Sequence, residues 1–175
     1  MKIYVNTKFK PKILVSGKTF YCQIGINGTV PQFKKKEGDK STPTGKWKIK
    51  RIFFRKDRNK KIFSNYFKNK IIEVNSNLVW CDDVKSNFYN RLVNLKNLKK
   101  IKFSHEKLYR LDNAYDIFIE INHNQAPIIR SKGSAIFIHC SFDDLRSTLG
   151  CVAIRKNNMK YLINNLQKLN YIYIR

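Results

Sequence analysis

Two residues of this chain could perform covalent chemistry together: a cysteine that follows a glycine, and a histidine twelve positions before that cysteine. Cys151 comes after Gly150 and opens the apolar run 152–154, and His139 lies near the end of an alternating apolar run. An imidazole can take the thiol proton, so that the thiolate attacks a carbonyl carbon and the imidazolium then protonates the departing amine. The pair therefore predicts cysteine-dependent acyl transfer by a thiol of lowered pKa. The alternative is that Cys151 is a small, inert core residue.

A strand, a polar loop and a second strand must position this pair. Residues 134–139 are expected to form the first strand, 141–148 the loop, and 152–154 the start of the second strand. Because side chains alternate along a strand, the first strand presents two sets: Ala135, Phe137 and His139 on one face, and Ile136, Ile138 and Cys140 on the other. Backbone N–H groups of Gly150 and Cys151 could then face an oxyanion, since glycine allows a close approach.

The N-terminal third of the chain is typical of antiparallel β-structure. Short apolar runs at 2–6, 13–15 and 19–26 predict a β-meander, and Asn27-Gly28 is a hairpin signal. A charged segment then predicts an exposed loop. After Thr42-Pro43-Thr44-Gly45, a half-buried strand is expected to place three residues on one face: Trp47, Ile49 and Arg51.

The remainder predicts further strands and one helix. Strands are expected near 71, over 115–122 and at 171–175, and 90–110 is expected to be loop with one short helix. Apolar residues at helical spacing predict a C-terminal helix capped by Asn157 or Asn158; they are Met159, Leu162, Ile163 and Leu166. The expected fold is a single, mainly β domain over residues 1–175, antiparallel, with one longer C-terminal helix.

Charge and composition narrow the classes of partner. The 175 residues carry 36 Lys and Arg against 12 Asp and Glu, a formal net charge of +24. These cations are spread along the chain, which favours a solvated basic surface, so no nucleic acid partner is expected. A non-catalytic basic β-domain that binds nucleic acid or anionic glycan remains the competing class. No apolar run is long enough for a transmembrane segment, no signal peptide is visible, and a monomer is expected.

The cysteines and the other polar clusters predict no metal site. Cys22, Cys81, Cys140 and Cys151 are too unevenly spaced for a zinc site. His139 and Cys140 point to opposite faces of a strand and would not converge on one ion with Cys151. Asp82 and Asp83 are interpreted as turn residues in preference to a carboxylate pair, and His123 as a solvated turn residue.

Two arginines leave two interpretations open. Arg55 and Arg58 flank Asp57 just after the strand that follows Gly45. They could form a surface ion-pair cluster, which contributes little to stability. They could also present guanidinium donors to a substrate carboxylate, with Asp57 holding them in place.

Three motifs in this order carry a resemblance to a known family. They are Thr42-Pro43-Thr44-Gly45, then Gly133 to His139, then Ser147-Thr148-Leu149-Gly150-Cys151-Val152. Together they resemble the L,D-transpeptidase catalytic domain, the YkuD-like family of bacterial cell-wall enzymes. Its pattern is a histidine at a strand end followed later by Ser or Thr, one residue, Gly and the nucleophilic Cys. The segments FFRKDR, WCDD and AYDIF are also similar, so the resemblance covers about residues 20–170.

The resemblance implies a β-sandwich-like catalytic fold and a role for each motif residue. Cys151 would be the nucleophile and His139 the general base and acid, oriented by the backbone carbonyl of Cys140. Backbone N–H groups of Gly150, Cys151 and Leu149 would form the oxyanion hole. Ser134 and Thr148 are further candidates for contact with the substrate, as are Arg55 and Arg58 under the second of the two interpretations above.

The implied reaction takes place on peptidoglycan stem peptides. Family members attack the carbonyl of the L-centre of a diamino acid, release terminal D-alanine, and pass the acyl group to an amine or to water. No metal or organic cofactor is implied. The implied location is the periplasm or cell envelope, with the cytoplasm as the alternative because no leader is visible.

Two positions depart from the family pattern. Family members commonly carry a second histidine where this chain has Leu149 and an arginine where it has Ala153. The Cys–His pair is intact, but the rim that meets the substrate is altered. An L,D-carboxypeptidase that admits water is therefore the close alternative to a crosslinking transpeptidase.

Overall fold

The structure is a computed structural model that describes residues 3–7, 10–59, 70–166 and 171–175. Its strands are β1 Ile3–Asn6, β2 Lys12–Val15, β3 Lys18–Tyr21, β4 Thr29–Pro31, β5 Thr42–Phe54, β6 Ile71–Glu73, β7 Leu78–Cys81, β8 Arg91–Asn94, β9 His105–Lys107, β10 Ile117–Ile121, β11 Phe137–Cys140, β12 Val152–Ile154 and β13 Tyr171–Ile174. A helix, α1, spans Lys156–Asn164, and short 3-10 turns occupy Gln32–Lys34 and Leu95–Asn97.

The large sheet has the strand order β12-β11-β10-β5-β13-β1-β2-β3, with β4 and β6 also paired to β5. A small sheet has the order β8-β7-β9. The predicted mainly β fold with one C-terminal helix is confirmed. The large sheet is mixed, however, because β11–β12, β1–β13, β4–β5 and β5–β6 are parallel pairs.

The N-terminal meander forms as predicted, but its hairpin lies elsewhere. β1, β2 and β3 pair antiparallel in sequence order. The β2–β3 turn is Ser16-Gly17, both with positive φ, as a tight two-residue hairpin requires. Asn27-Gly28 instead leads into β4, which lies parallel to β5.

Each face of the large sheet covers a different hydrophobic cluster. Alternation in β11 sends Ile138 and Cys140 to the cluster beneath α1, and Phe137 to the cluster that includes the small sheet. A register shift between β5 and β10 pairs Ile49 with Ile121 but Ile52 with Ile119. This bulge interrupts the alternation of β5. The prediction that Arg51 shares a face with Trp47 and Ile49 is therefore wrong.

Arg51 instead pairs with Glu120, and its guanidinium lies 5.4 Å from the Phe53 ring centroid. The segment expected to be loop with a short helix is also wrong in part. It contains β8 and β9, which flank β7 in the small sheet.

Three further local predictions differ from the structure. Helix α1 begins at Lys156 with Arg155 at the N-cap position, so neither asparagine caps it. Met159, Leu162 and Ile163 form its buried stripe as predicted, but Leu166, also buried, lies beyond its end at Asn164. The charged loop before β5 is not fully exposed, because Lys35 is only 2% exposed and its ammonium lies 2.6 Å from Asp39 Oδ1. His123 is 3% exposed and hence is not a solvated residue.

Within the described residues, no helix is long and apolar enough to span a bilayer.

Candidate active site

Two neighbouring parallel strands bring His139 and Cys151 to one face of the large sheet. The register of β11 and β12 pairs Ile138 with Val152 and His139 with Ala153. Cys151 precedes Val152, so alternation places its side chain on the same face as His139. Both residues line one cavity of about 620 Å³. The strand–loop–strand prediction therefore holds, with the strand starting at Phe137 because Ala135 has a positive φ of 52°.

The imidazole of His139 is held in one orientation. Its Nδ1 lies 2.8 Å from the carbonyl oxygen of Cys140, and its ring is 5.4 Å from the Tyr115 ring at 86° and 6.0 Å from the Phe142 ring. A carbonyl oxygen accepts hydrogen bonds, so a neutral imidazole must carry its proton on Nδ1. Its Nε2 therefore keeps the lone pair that a general base needs.

The thiol of Cys151 forms two hydrogen bonds with the backbone at the start of β11. Its S–H donates to the Ala135 carbonyl oxygen at 3.2 Å, and its Sγ accepts from the Phe137 N–H at 3.3 Å. The positive φ of Ala135 is uncommon for a residue other than glycine and occurs beside the nucleophile candidate, where strained backbone often accompanies function.

Both members of the pair are neutral in this structure. Burial raises the pKa of the Cys151 thiol to about 12, and the charge of Glu106 adds to the rise. Burial also lowers the pKa of His139 to about 4, against the opposing effect of the Cys140 carbonyl. The expectation of a lowered thiol pKa is therefore wrong for the unliganded protein.

The turn before Cys151 is fixed by threonine hydroxyls. Thr148 Oγ1 donates to the Cys151 carbonyl at 2.7 Å and accepts from the Gly150 N–H at 3.1 Å, and Thr42 Oγ1 also donates to that carbonyl at 3.3 Å. Gly150 has φ 136° and packs so closely that a Cβ would lie 3.1 Å from the Ser41 carbonyl oxygen. The turn requires glycine, and the Gly150 N–H, predicted for the oxyanion hole, has a hydroxyl acceptor here.

Other predicted residues are divided between the cavity and the scaffold. Ser134, Thr148 and the 76%-exposed Leu149 line the cavity. Ala153 is fully buried, and its backbone exchanges two hydrogen bonds of 2.8 Å with Gln23.

Arg55 and Arg58 are not among the residues that line this cavity. Arg55 forms two hydrogen bonds with Asp57 and donates to the Arg110 carbonyl. Arg58 donates to Asp116 and to two carbonyls of the 111–112 loop. Their position does not support the prediction that they bind substrate, since both tie the end of β5 to the segment before β10.

The cavity contains charged residues that the sequence analysis did not assign to a site. Its basic members are Lys40, Arg110 and Arg146, and its acidic members are Glu37, Asp82 and Glu106. Tyr115 packs against His139 and donates to Glu106 at 2.6 Å. The one signal in the sequence for the three acidic residues is their scarcity in this basic chain, and Asp82, interpreted as a turn residue, lies on the cavity wall. In the described part of the chain, no group of three or more His, Cys, Asp or Glu is placed to hold a metal ion.

The family model of the L,D-transpeptidase catalytic domain, YkuD, matches residues 4–174. The chain belongs to this family. The match covers almost the whole chain, and members of the L,D-transpeptidase family act on peptidoglycan. No curated protein and no solved structure matches the chain.

Proposed function

We propose that this L,D-transpeptidase family member is a cysteine acyltransferase that forms an acyl-enzyme on Cys151 with peptidoglycan stem peptides. One observation carries the proposal: the register of β11 and β12 places His139 and Cys151 on the same face, in one cavity. Since peptidoglycan lies outside the cytoplasmic membrane, we propose the cell envelope as the place of action.

In the first step, substrate displaces the thiol hydrogen from the Ala135 carbonyl toward His139. Nε2 of His139 takes the proton as Sγ attacks the carbonyl carbon, which gives a tetrahedral oxyanion. The N–H groups of Cys151 and Leu149 are the proposed donors to that oxyanion, and Gly150 joins them if its bond to Thr148 exchanges. The imidazolium then protonates the amine of D-alanine, the C–N bond breaks, and a thioester remains.

In the second step, a nucleophile enters from the open side of the cavity. Neutral His139 takes a proton from an amine or from water as its N or O bonds to the thioester carbonyl carbon; the C–S bond then breaks, and the imidazolium returns the proton to Cys151. An amine gives a crosslink, as in a transpeptidase. Water gives a trimmed stem, as in an L,D-carboxypeptidase, and the exposed Leu149 at the rim is where this chain departs from the family pattern.

The proposal is tested by intact-mass measurement after incubation with a tetrapeptide stem. We expect an adduct on the parent protein with release of D-alanine, and no adduct on Cys151→Ala. Cys22→Ala is the matched control, because Cys22 is also a buried free thiol but belongs to the cluster beneath α1.

Product analysis then separates the two reactions. A crosslinked dimer identifies the transpeptidase, and a tripeptide identifies the carboxypeptidase. Neither adduct nor D-alanine from folded parent protein, shown by a cooperative thermal transition, would overturn the proposal in favour of a non-catalytic binding domain.

A further inference from the structure

One wall of the catalytic cavity carries two carboxyl groups from adjacent strands of the small sheet. β7 and β9 pair Trp80 with Glu106 and Cys81 with His105. Asp82 follows β7, and its N–H donates to the Ser104 carbonyl, which continues the pairing. Alternation therefore puts Asp82 and Glu106 on one face of this sheet, and both line the cavity that contains Cys151.

The neighbours of Glu106 leave its charge incompletely neutralised. Arg110 is the nearest cation, but its guanidinium makes three hydrogen bonds of 2.6–3.1 Å to Asp112 and lies 3.8 Å from Glu106. The hydrogen bond that Glu106 accepts comes from the phenol of Tyr115, a neutral donor. Burial raises the pKa of the Glu106 carboxyl, and the nearby Asp82 adds to the rise.

Asp82 lacks a partner on one oxygen. Its Oδ1 is buried and has no hydrogen bond to any described residue. A buried acceptor without a donor is costly, so such an atom in a ligand cavity calls for a donor that the ligand brings. Lys40, Arg110 and Arg146 line the same cavity and suit substrate carboxylates, which leaves the acidic wall for a cation.

We propose that Glu106 and Asp82 bind a primary ammonium group of the substrate beside Cys151, so that the enzyme selects acyl donors with a free amine near the scissile carbonyl. The identity of the substrate rests on the proposed function. An ammonium group has three N–H donors, one of which can bond to the Asp82 oxygen that lacks a partner. Its positive charge can also neutralise the carboxylate of Glu106. Its charge also offsets the anionic wall that disfavours a thiolate at Cys151.

The first test needs no turnover. Methanethiosulfonates convert Cys151 to a mixed disulfide and release methanesulfinate, and they exist with a cationic ammonioethyl or an anionic sulfonatoethyl group. We expect the ratio of cationic to anionic rates to fall about tenfold in Glu106→Gln, because one charge-assisted contact is lost. Asp82→Asn should lower the ratio in the same direction.

Glu73→Gln is the matched control, because it removes the same charge from an exposed residue of β6 outside the cavity. It should keep the parental ratio. Cys151→Ala gives the background from the other cysteines, and thermal unfolding verifies that each variant is folded. An unchanged ratio in folded Glu106→Gln would overturn the inference whether or not the protein is a transpeptidase.

The second test uses the reaction. Two stem peptides are compared, one with the free side-chain amine of its diamino acid and one with that amine acetylated. The parent should prefer the free amine in kcat/KM by about tenfold, and Glu106→Gln should lose the preference. D-alanine release without any preference would overturn this inference and leave the proposed function standing.

Discussion

The two described buried histidines of the β-scaffold, His139 and His123, have nearly identical local chemistry and very different surroundings. Each has one ring nitrogen beside a backbone carbonyl, Cys140 at 2.8 Å and Lys132 at 3.0 Å. Burial lowers the pKa of both to about 4. His139 faces the cavity of Cys151, whereas His123 packs edge-on against Trp47, with ring centroids 5.0 Å apart.

The difference between the two rings lies in which nitrogen the carbonyl occupies. In His139 the carbonyl faces Nδ1 and leaves Nε2 for chemistry. In His123 it faces Nε2, and Nδ1 is buried without a partner among the described residues. Burial and a lowered pKa are thus insufficient to identify a catalytic histidine. What distinguishes His139 is that the free thiol of Cys151, which directly precedes the neighbouring strand β12, lines the same cavity.

The largest expected effect separates the two histidines by activity. His139→Ala should lower the rate of acyl-enzyme formation by about 10³-fold, because general acid–base catalysis is lost. His123→Ala should keep most of the rate in its folded fraction. Stopped reactions with the stem peptide, analysed by intact mass, measure both. Equal losses of this rate in folded His139→Ala and His123→Ala would contradict the distinction between the two histidines.

The second prediction concerns the pH dependence of stability, to which both histidines should contribute equally. Their folded pKa of about 4 lies below the ordinary 6.5, so the unfolded chain binds more protons between these values. Stability is therefore complete above pH 6.5 and is lost as the pH falls toward 4, by about 3 kcal/mol for each histidine. Urea titrations from pH 7 to 4 measure this loss. A flat profile, or one unaffected by His123→Gln, would contradict the shared burial.

The third prediction compares Gly150, which precedes Cys151, with Gly133, which packs against His123. A Cβ on Gly150 would lie 3.1 Å from the Ser41 oxygen, and one on Gly133 would lie 3.0 Å from His123 Nε2. Each substitution by alanine should cost about 2 kcal/mol, from strain at positive φ together with the close contact of the added Cβ. Only Gly150→Ala should also slow acyl-enzyme formation in the folded protein.

Gly28→Ala is the control for that pair of substitutions. Gly28 has a φ of 73° but no atom within 4 Å of an added Cβ. It should cost about 1 kcal/mol, from backbone conformation alone. Chemical denaturation of the three variants ranks them, and a larger loss at Gly28 would show that close packing is not the cause.

The smallest effect concerns the acid limb of the pH–rate profile. If His139 acts as the base with a pKa near 4, kcat/KM at pH 5.5 should remain at its neutral value. An ordinary imidazole would lose about tenfold there. The apparent pKa belongs to the Cys–His pair as a unit. A limb near 6.5 in kcat/KM would show that His139 is solvated in the free enzyme.

The sequence predicted what depends on alternation and local turn chemistry. The two faces of β11, the meander, the apolar stripe of α1 and the terminal strand follow from side-chain periodicity, which is local. The same periodicity placed His139 and Cys151 at strand ends that could pair.

What the sequence did not predict depends on contacts between distant segments. The bulge that turns Arg51 toward Glu120 arises from pairing of β5 with β10, and β9 forms only because β7 supplies a partner. Arg55 and Asp57 are only two residues apart in the chain, but the third contact of Arg55, the carbonyl of Arg110, lies 55 residues away. The lowered pKa of His123 likewise results from tertiary burial that its polar Asn-His-Asn context conceals.

The hydrogen bond from the Cys151 thiol to the Ala135 carbonyl should protect this thiol from oxidation. Peroxide attacks thiolates, which it converts first to sulfenic acid and then to irreversible higher acids. A buried thiol with a pKa of about 12, whose hydrogen is already bound to a carbonyl, offers almost no thiolate at neutral pH. The resting protein should therefore resist oxidative inactivation, and become sensitive only while a bound ligand draws that hydrogen away.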